Sequence, residues 1–268
     1  MNEYFPYNTK NVPLRSEDIK HILRSHGVHH DPRNVGLFQK AMVHSTYVRR
    51  SEYTTINGEP AVLAKCPENV MDLQDESYEQ LEFRGDSILG AIVSNYLCER
   101  FPDQSPGFLT NTRKLIVRNK TLGTLARDNL HLDKFFIVSR HVEDMKPEHG
   151  RRNIEKIGDV LEAFIAALWI DSNFNFEKVE TFVVSLIETY LDIPLLLRED
   201  DNFKDRMQKH CQQKLGFTPI YKMLKEEAGV FTMAVCKPCG EILGTGTATT
   251  KKQAEQNACR IALENLLR

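Results

Sequence analysis

The chain has 268 residues, 41% of them hydrophobic and 27% charged, which is enough apolar content for a buried core and excludes a wholly disordered chain. Its formal net charge of −2 excludes a uniformly basic nucleic-acid binder. The charge is nevertheless uneven: residues 202–268 hold 11 Lys and Arg against 6 Asp and Glu, while the rest hold 24 against 31, so a basic tail on an acidic body points to a polyanionic ligand. The opening MNEYFPYNTK has neither the apolar stretch nor the small-residue cleavage site of a secretory leader. The longest apolar run, LEAFIAALWI, falls well short of the roughly 20 residues needed to span a bilayer. Six scattered cysteines in a chain of this size read as reduced thiols, and a soluble intracellular protein is expected.

In chain order, SEDIKHILRSHG (16–27) predicts a short amphipathic helix with Ser16 as N-cap and Gly27 at its end. NVGLFQKAMVHSTYV (34–48) repeats the pattern. Residues 49–75 lack sustained periodicity and contain Gly, Pro and Asn, so they predict a long loop or insertion. Such a segment can bind a partner, extend an interface or simply loop out, and the last is the expectation. Helical patterns follow at about 76–100, 109–117, 120–129, 153–171 and 176–191. A linker is expected at 196–201. Beyond it NFKDRMQKHCQQKLG is helical, PIYKMLKEE, VFTMAVCKP and EILGTGTATT read as strands, and KKQAEQNACRIALENLL closes as a helix. The expected fold is a mainly α domain over 1–195 followed by a small α+β domain, α-β-β-β-α, over 202–268.

Two segments carry acids where apolar residues are expected. In YEQLEFRGDSILG (78–90), Glu79, Glu82 and Asp86 project within roughly 60° of each other on a helix, on the side that continues as Leu89, Val93 and Leu97. All three are expected to face the interior, with Gln80, Arg84 and Ser87 toward solvent. GDVLEAFIAALWI (158–170) is apolar around nearly its whole circumference, which predicts a buried helix, and its only ionisable residues, Asp159 and Glu162, share one face. A lone buried acid is more often paired or protonated than functional. Five acids on two helices are hard to neutralise with salt bridges; hard divalent cations held by carboxylates fit better, Mg²⁺ above all where the substrate is a phosphate.

EQLEFRGDSIL (79–89) resembles the signature helix of the ribonuclease III endonucleases, written ERLEFLGD-[AS]-[VI]-L. GDVLEAFIAALWID resembles that family's second acidic helix, AMVHS its LTHRS-like segment, and FLTNTRKLIVRNKTLGTLA the stretch between them. The resemblance runs from about residue 17 to the end in the family's order. It implies a ribonuclease III-like helical fold in which Glu82, Asp159 and Glu162 are divalent-metal ligands. It further implies that Asp86 is the essential carboxylate beside the attacking water, with Glu162 also catalytic and Glu79 a supporting acid. Mg²⁺ is the implied cofactor, with Mn²⁺ as a substitute. The implied reaction is hydrolysis of double-stranded RNA to 5′-phosphate and 3′-hydroxyl ends with short 3′ overhangs, by a homodimer whose subunits each cut one strand. The alternative is a catalytically silent homologue that only sequesters RNA; the presence of all five acids favours catalysis.

GTGTATTKKQAEQNA (244–258) resembles the double-stranded-RNA-binding signature G-x-G-x-[GA]-x-[ST]-KK-x-A. Lys251 and Lys252 sit at a helix start, where free N–H groups and the dipole attract phosphate. Lys204 and Gln208 share a face of the module's first helix and are candidates for a minor-groove contact, or equally for a polar role flanking the core. The loop KEEAGVF lacks the family's Gly-Pro-x-His, which implies weaker binding by the module alone. Cys236-Lys237-Pro238-Cys239 has zinc-ligand spacing but needs two further partners, and a turn containing two thiols is the preferred reading.

Overall fold

The protein is described by a computed structural model over residues 2–54, 57–146, 149–198 and 202–266. It divides into two compact units, Met1–Pro194 and Leu195–Arg268. In the first, strand β1 (Asn2–Tyr4) precedes α1 (Ser16–Arg24), α2 (Val35–Lys40), β2 (Tyr53–Thr54) and β3 (Pro60–Leu63). Then come α3 (Glu79–Arg100), α4 (Pro106–Val117), α5 (Asn119–Thr124), α6 (Arg140–Glu143), α7 (Ile154–Asp171) and α8 (Phe176–Tyr190), with α9 (Ile193–Arg198) spanning the boundary between the units. No helix among the described residues is long and apolar enough to cross a membrane.

Helix α7 is the axle of this unit, buried at every position from Ile157 to Leu168, as its apolar circumference predicts. Its Phe164 ring lies 5.3 Å from Phe38 and 5.7 Å from Phe182, joining α2 and α8 across it. Burying such a ring contributes about 2–3 kcal/mol. Helices α3 and α5 pack along its other sides. The C-terminal end of α7 is tied down by Asp171, whose side chain is 1% exposed. Its Oδ2 accepts from His30 Nε2 (2.7 Å) and the Arg33 amide (2.9 Å), and its Oδ1 accepts from the Asn34 amide (2.7 Å). Burial alone would raise this carboxyl, but the two amides and His30 outweigh it and hold it below 3.8. Asp171→Ala should therefore cost about 3–5 kcal/mol in a denaturant titration, because three donors lose a buried acceptor. A depressed carboxylate stabilises the fold above its unfolded-state pKa, so the gap between wild type and variant should close as pH falls below about 3.8.

Local details depart from the sequence expectations. The N-cap of α1 is Arg15, not Ser16, and its amide donates to Asp18 Oδ2 (3.0 Å); Gly27 does end this region in the left-handed conformation, φ +78°. The 34–48 stretch is one short helix and a 3₁₀ turn (Ser45–Tyr47), and 119–129 divides into α5 and a π-helical turn. Segment 49–75 does not simply loop out. β3 pairs in parallel with β1 and antiparallel with β2, Tyr47 Oη donates to the Met71 carbonyl (2.6 Å), and Leu73 is buried. Its pairing partner β1 lies at the far end of the domain sequence, beyond the reach of local periodicity. The residues expected as a linker begin inside α9, and 199–201 lie outside the described residues.

After the end of α9, the second unit contains α10 (Phe203–His210) and a π-helical turn, followed by β4 (Ile220–Glu227), β5 (Val230–Cys236), β6 (Ile242–Ala248) and α11 (Lys251–Leu266). The strands form an antiparallel sheet in the order β4-β5-β6. Met207, Cys211, Val235, Ala258, Cys259, Ala262 and Leu263 make its core. A side chain at Gly246 would stand 2.2 Å from the Ala258 amide, so β6 and α11 touch backbone to backbone. Ala254, Ala258 and Ala262, one helical turn apart, let them do so.

Candidate active site

The site is built where α3 crosses α7. The buried face of α3 carries Leu81, Gly85, Ile88 and Ile92. A Cβ on Gly85 would lie 1.9 Å from the Glu162 carbonyl oxygen, so only glycine permits the helices to meet this closely. That contact sets the acids of α3 beside those of α7. Glu82, Asp159 and Glu162 each present a carboxylate oxygen within 4.8 Å of the others, the one such group of three possible metal ligands among the described residues.

The acid stripe of α3 is less buried than its spacing suggested. Glu82 is half-buried, whereas Glu79 and Asp86 are exposed. The packed face is centred on Gly85, and the acids lie roughly 60–120° around the helix from it, at the edge of the interface rather than within it. Asp86 still stands close enough to raise Glu162. Glu79 sits at the rim, accepting from Ser77 Oγ (3.1 Å). Phe83 is 78% exposed, an apolar residue that the helical pattern did not single out.

Electrostatics mark the cluster as incomplete by itself. Burial, then Asp86, Asp159 and Glu82, push Glu162 up to about 8. Burial followed by Asp159 raises Glu82 as well. These oxygens repel each other unless a proton or cation lies among them, and an all-carboxylate set suits a hard divalent ion.

Asp159 is better supplied. Its Oδ1 accepts from Asn119 Nδ2, and its Oδ2 from Tyr78 Oη (3.1 Å) and Lys156 Nζ (3.1 Å). His44 meets Phe136 edge-on at 5.6 Å and accepts the Thr46 amide on Nδ1, which places its proton on Nε2. Its pKa is lowered by burial and then by Lys156. Sequence reasoning passed over Tyr78, Asn119, Lys156 and His44 as site residues. Three of them were in view, since Tyr78 adjoins Glu79, Lys156 is one turn before Asp159, and His44 lies in AMVHS.

In the second unit Lys251 and Lys252 are exposed at the start of α11, with Lys251 Nζ 5.4 Å from the Phe231 ring. Gln208 is exposed. Lys204 is engaged within the unit, 2.5 Å from Glu255 and 4.3 Å from the Tyr221 ring centre. Cys236 is buried at the end of β5 and Cys239 is exposed beyond it.

Residues 79–173 match the ribonuclease III domain, and residues 203–266 match the double-stranded RNA binding motif. Ribonuclease 3 of Listeria monocytogenes is 31% identical over 240 residues, covering 88% of this chain and 93% of that protein. The chain belongs to the ribonuclease III family. Ribonuclease 3 of Bacteroides fragilis is likewise 31% identical, over 238 residues that cover 88% of this chain and 72% of the relative. The match to the probable ribonuclease 3 of Acanthamoeba polyphaga mimivirus is 30% over 268 residues, 97% of this chain but 47% of that longer protein. As a ribonuclease III with a double-stranded RNA binding motif, the chain is a double-stranded-RNA endoribonuclease. The acidic crossing of α3 and α7 falls inside the matched nuclease domain.

Proposed function

We propose that the protein hydrolyses duplex RNA with Mg²⁺ held by Glu82, Asp159 and Glu162. The products are 5′-phosphate and 3′-hydroxyl ends with short 3′ overhangs. The observation that carries this reading is the convergence of three carboxylate oxygens from two helices within 4.8 Å. A bound Mg²⁺ supplies Lewis acidity and lowers the pKa of water enough for attack on a phosphodiester near neutral pH. Asp86, exposed beside the trio, would orient the attacking water and accept its proton. Glu79 adds negative charge at the rim, and Lys156 balances Asp159 from the open side. No protein nucleophile is required.

Duplex recognition falls to the second unit: Lys251 and Lys252 with the free amides of α11 on phosphates, and Gln208 in a minor groove. Lys204 serves this face only by leaving Glu255. A homodimer suits a duplex, each copy cutting one strand. The exposed Phe83 beside Trp169, lining a cleft of about 610 Å³ on the signature helix, supports a second copy docking there.

A gel assay on long duplex RNA tests the reading. With Mg²⁺ the RNA should be cut, and with Ca²⁺ or EDTA it should be bound intact. Cutting in EDTA, or by Asp86→Asn at the wild-type rate, would reject the assignment. Lys251→Ala with Lys252→Ala should weaken duplex binding and flatten the dependence of log K on log salt by roughly 1–2. An unaltered slope would place the phosphate contacts elsewhere.

A further inference from the structure

Tyr78 stands against a carboxylate of the proposed ion site. It is 2% exposed, it precedes α3, and its amide donates to the Val43 carbonyl (2.9 Å). Its carbonyl accepts from the Leu81 and Glu82 amides, so the residue is anchored at both ends of its backbone. Its ring packs against both His44 and Phe136, at 6.2 and 6.1 Å. The hydroxyl is thus delivered rigidly to Asp159 Oδ2, 81 residues away in sequence.

We infer that Tyr78 is a positioning residue that holds the Asp159 carboxylate against rotation, and so favours Mg²⁺ over Ca²⁺. This rests on the proposed ion site. Asn119 holds one oxygen and Tyr78 with Lys156 the other, so the carboxylate has no free rotation. Lys156 is 48% exposed and flexible, whereas the phenol is fixed by its ring. Mg²⁺ demands near-ideal geometry with short bonds, while Ca²⁺ accepts irregular shells with longer ones. Loosening one carboxylate therefore penalises Mg²⁺ far more.

The test is Mn²⁺ binding to the full chain by electron paramagnetic resonance, with Mg²⁺ and Ca²⁺ measured by competition. Tyr78→Phe should weaken Mg²⁺ by about 10–100-fold, the usual range for groups that orient metal ligands, and Ca²⁺ much less. 4-Fluorophenylalanine at position 78 fills the place of the hydroxyl with no proton to give, and should behave likewise even if Tyr78→Phe fails to fold. 4-Aminophenylalanine restores a donor and should restore Mg²⁺. Unchanged Mg²⁺ affinity, or a parallel fall for both ions that tracks the thermal midpoint, would overturn the inference. The site itself is checked separately: if Glu82→Gln leaves wild-type Mn²⁺ binding intact, the ion site is misplaced, whatever Tyr78 does.

Discussion

Glu162→Gln should abolish cleavage and at the same time stabilise the metal-free protein at high pH. Removing a group from the charge-stabilising centre of an active site costs on the order of 10²–10³-fold in rate, and this one is also an ion ligand in the proposed site. The stability effect has the opposite direction. Glu162 is pushed up to about 8 by burial and its acidic neighbours, against 4.5 when free. The contribution of its bound proton is fully present below 4.5 and is lost as pH rises through about 8. Glutamine keeps the shape and carries no charge, so it escapes this loss. Chemical denaturation in EDTA should show the variant gaining on wild type from pH 5 upward, by roughly one to a few kcal/mol at pH 9. Adding Mg²⁺ should restore wild type and leave the variant unmoved. A wild type that outlasts the variant at pH 9 in EDTA would show the acids to be compensated by some other group.

Gly85→Ala should be among the most damaging methyl additions at the described glycines. The added carbon would stand 1.9 Å from the Glu162 carbonyl oxygen, a backbone atom that cannot rotate aside. Helices α3 and α7 must part by more than an ångström, at a cost of about 3 kcal/mol or more. Any protein that still folds carries its acids too far apart, and a displacement near 1 Å is worth about 10²-fold in rate. Gly90 supplies the control: it lies on the same helix, and a methyl added there would meet nothing within 4 Å. Gly90→Ala should stabilise by about 0.5–1 kcal/mol and leave cleavage untouched, since alanine is the better helix former. Thermal midpoints and single-turnover rates on the two variants separate the steric effect from helix propensity.

The contrast between these glycines shows what sequence carries. Both read as a mild cost inside a helical pattern, and only the three-dimensional crossing tells them apart. The all-apolar circumference of α7 was legible because full burial leaves a one-dimensional record at every position. The stripe of acids on α3 was legible as a stripe, but its depth was not. A helical projection places Glu79 and Asp86 next to buried residues without saying where the packing surface ends. The bonds that Tyr78 and Asn119 make to Asp159 leave no local pattern, because each comes from another segment, 81 and 40 residues away. The small sheet of β1, β2 and β3 was hidden for the same reason, its strands being too short to carry a period and paired across a long separation.

Two of the three converging acids ride on α7, which has no solvent-facing side along most of its length and is clasped at its far end by His30 and two amides. Such a centre has no loose hinge of its own. Urea strong enough to blunt ion binding must already be dissolving the hydrophobic interior, so catalysis and helical circular dichroism should vanish along a single curve.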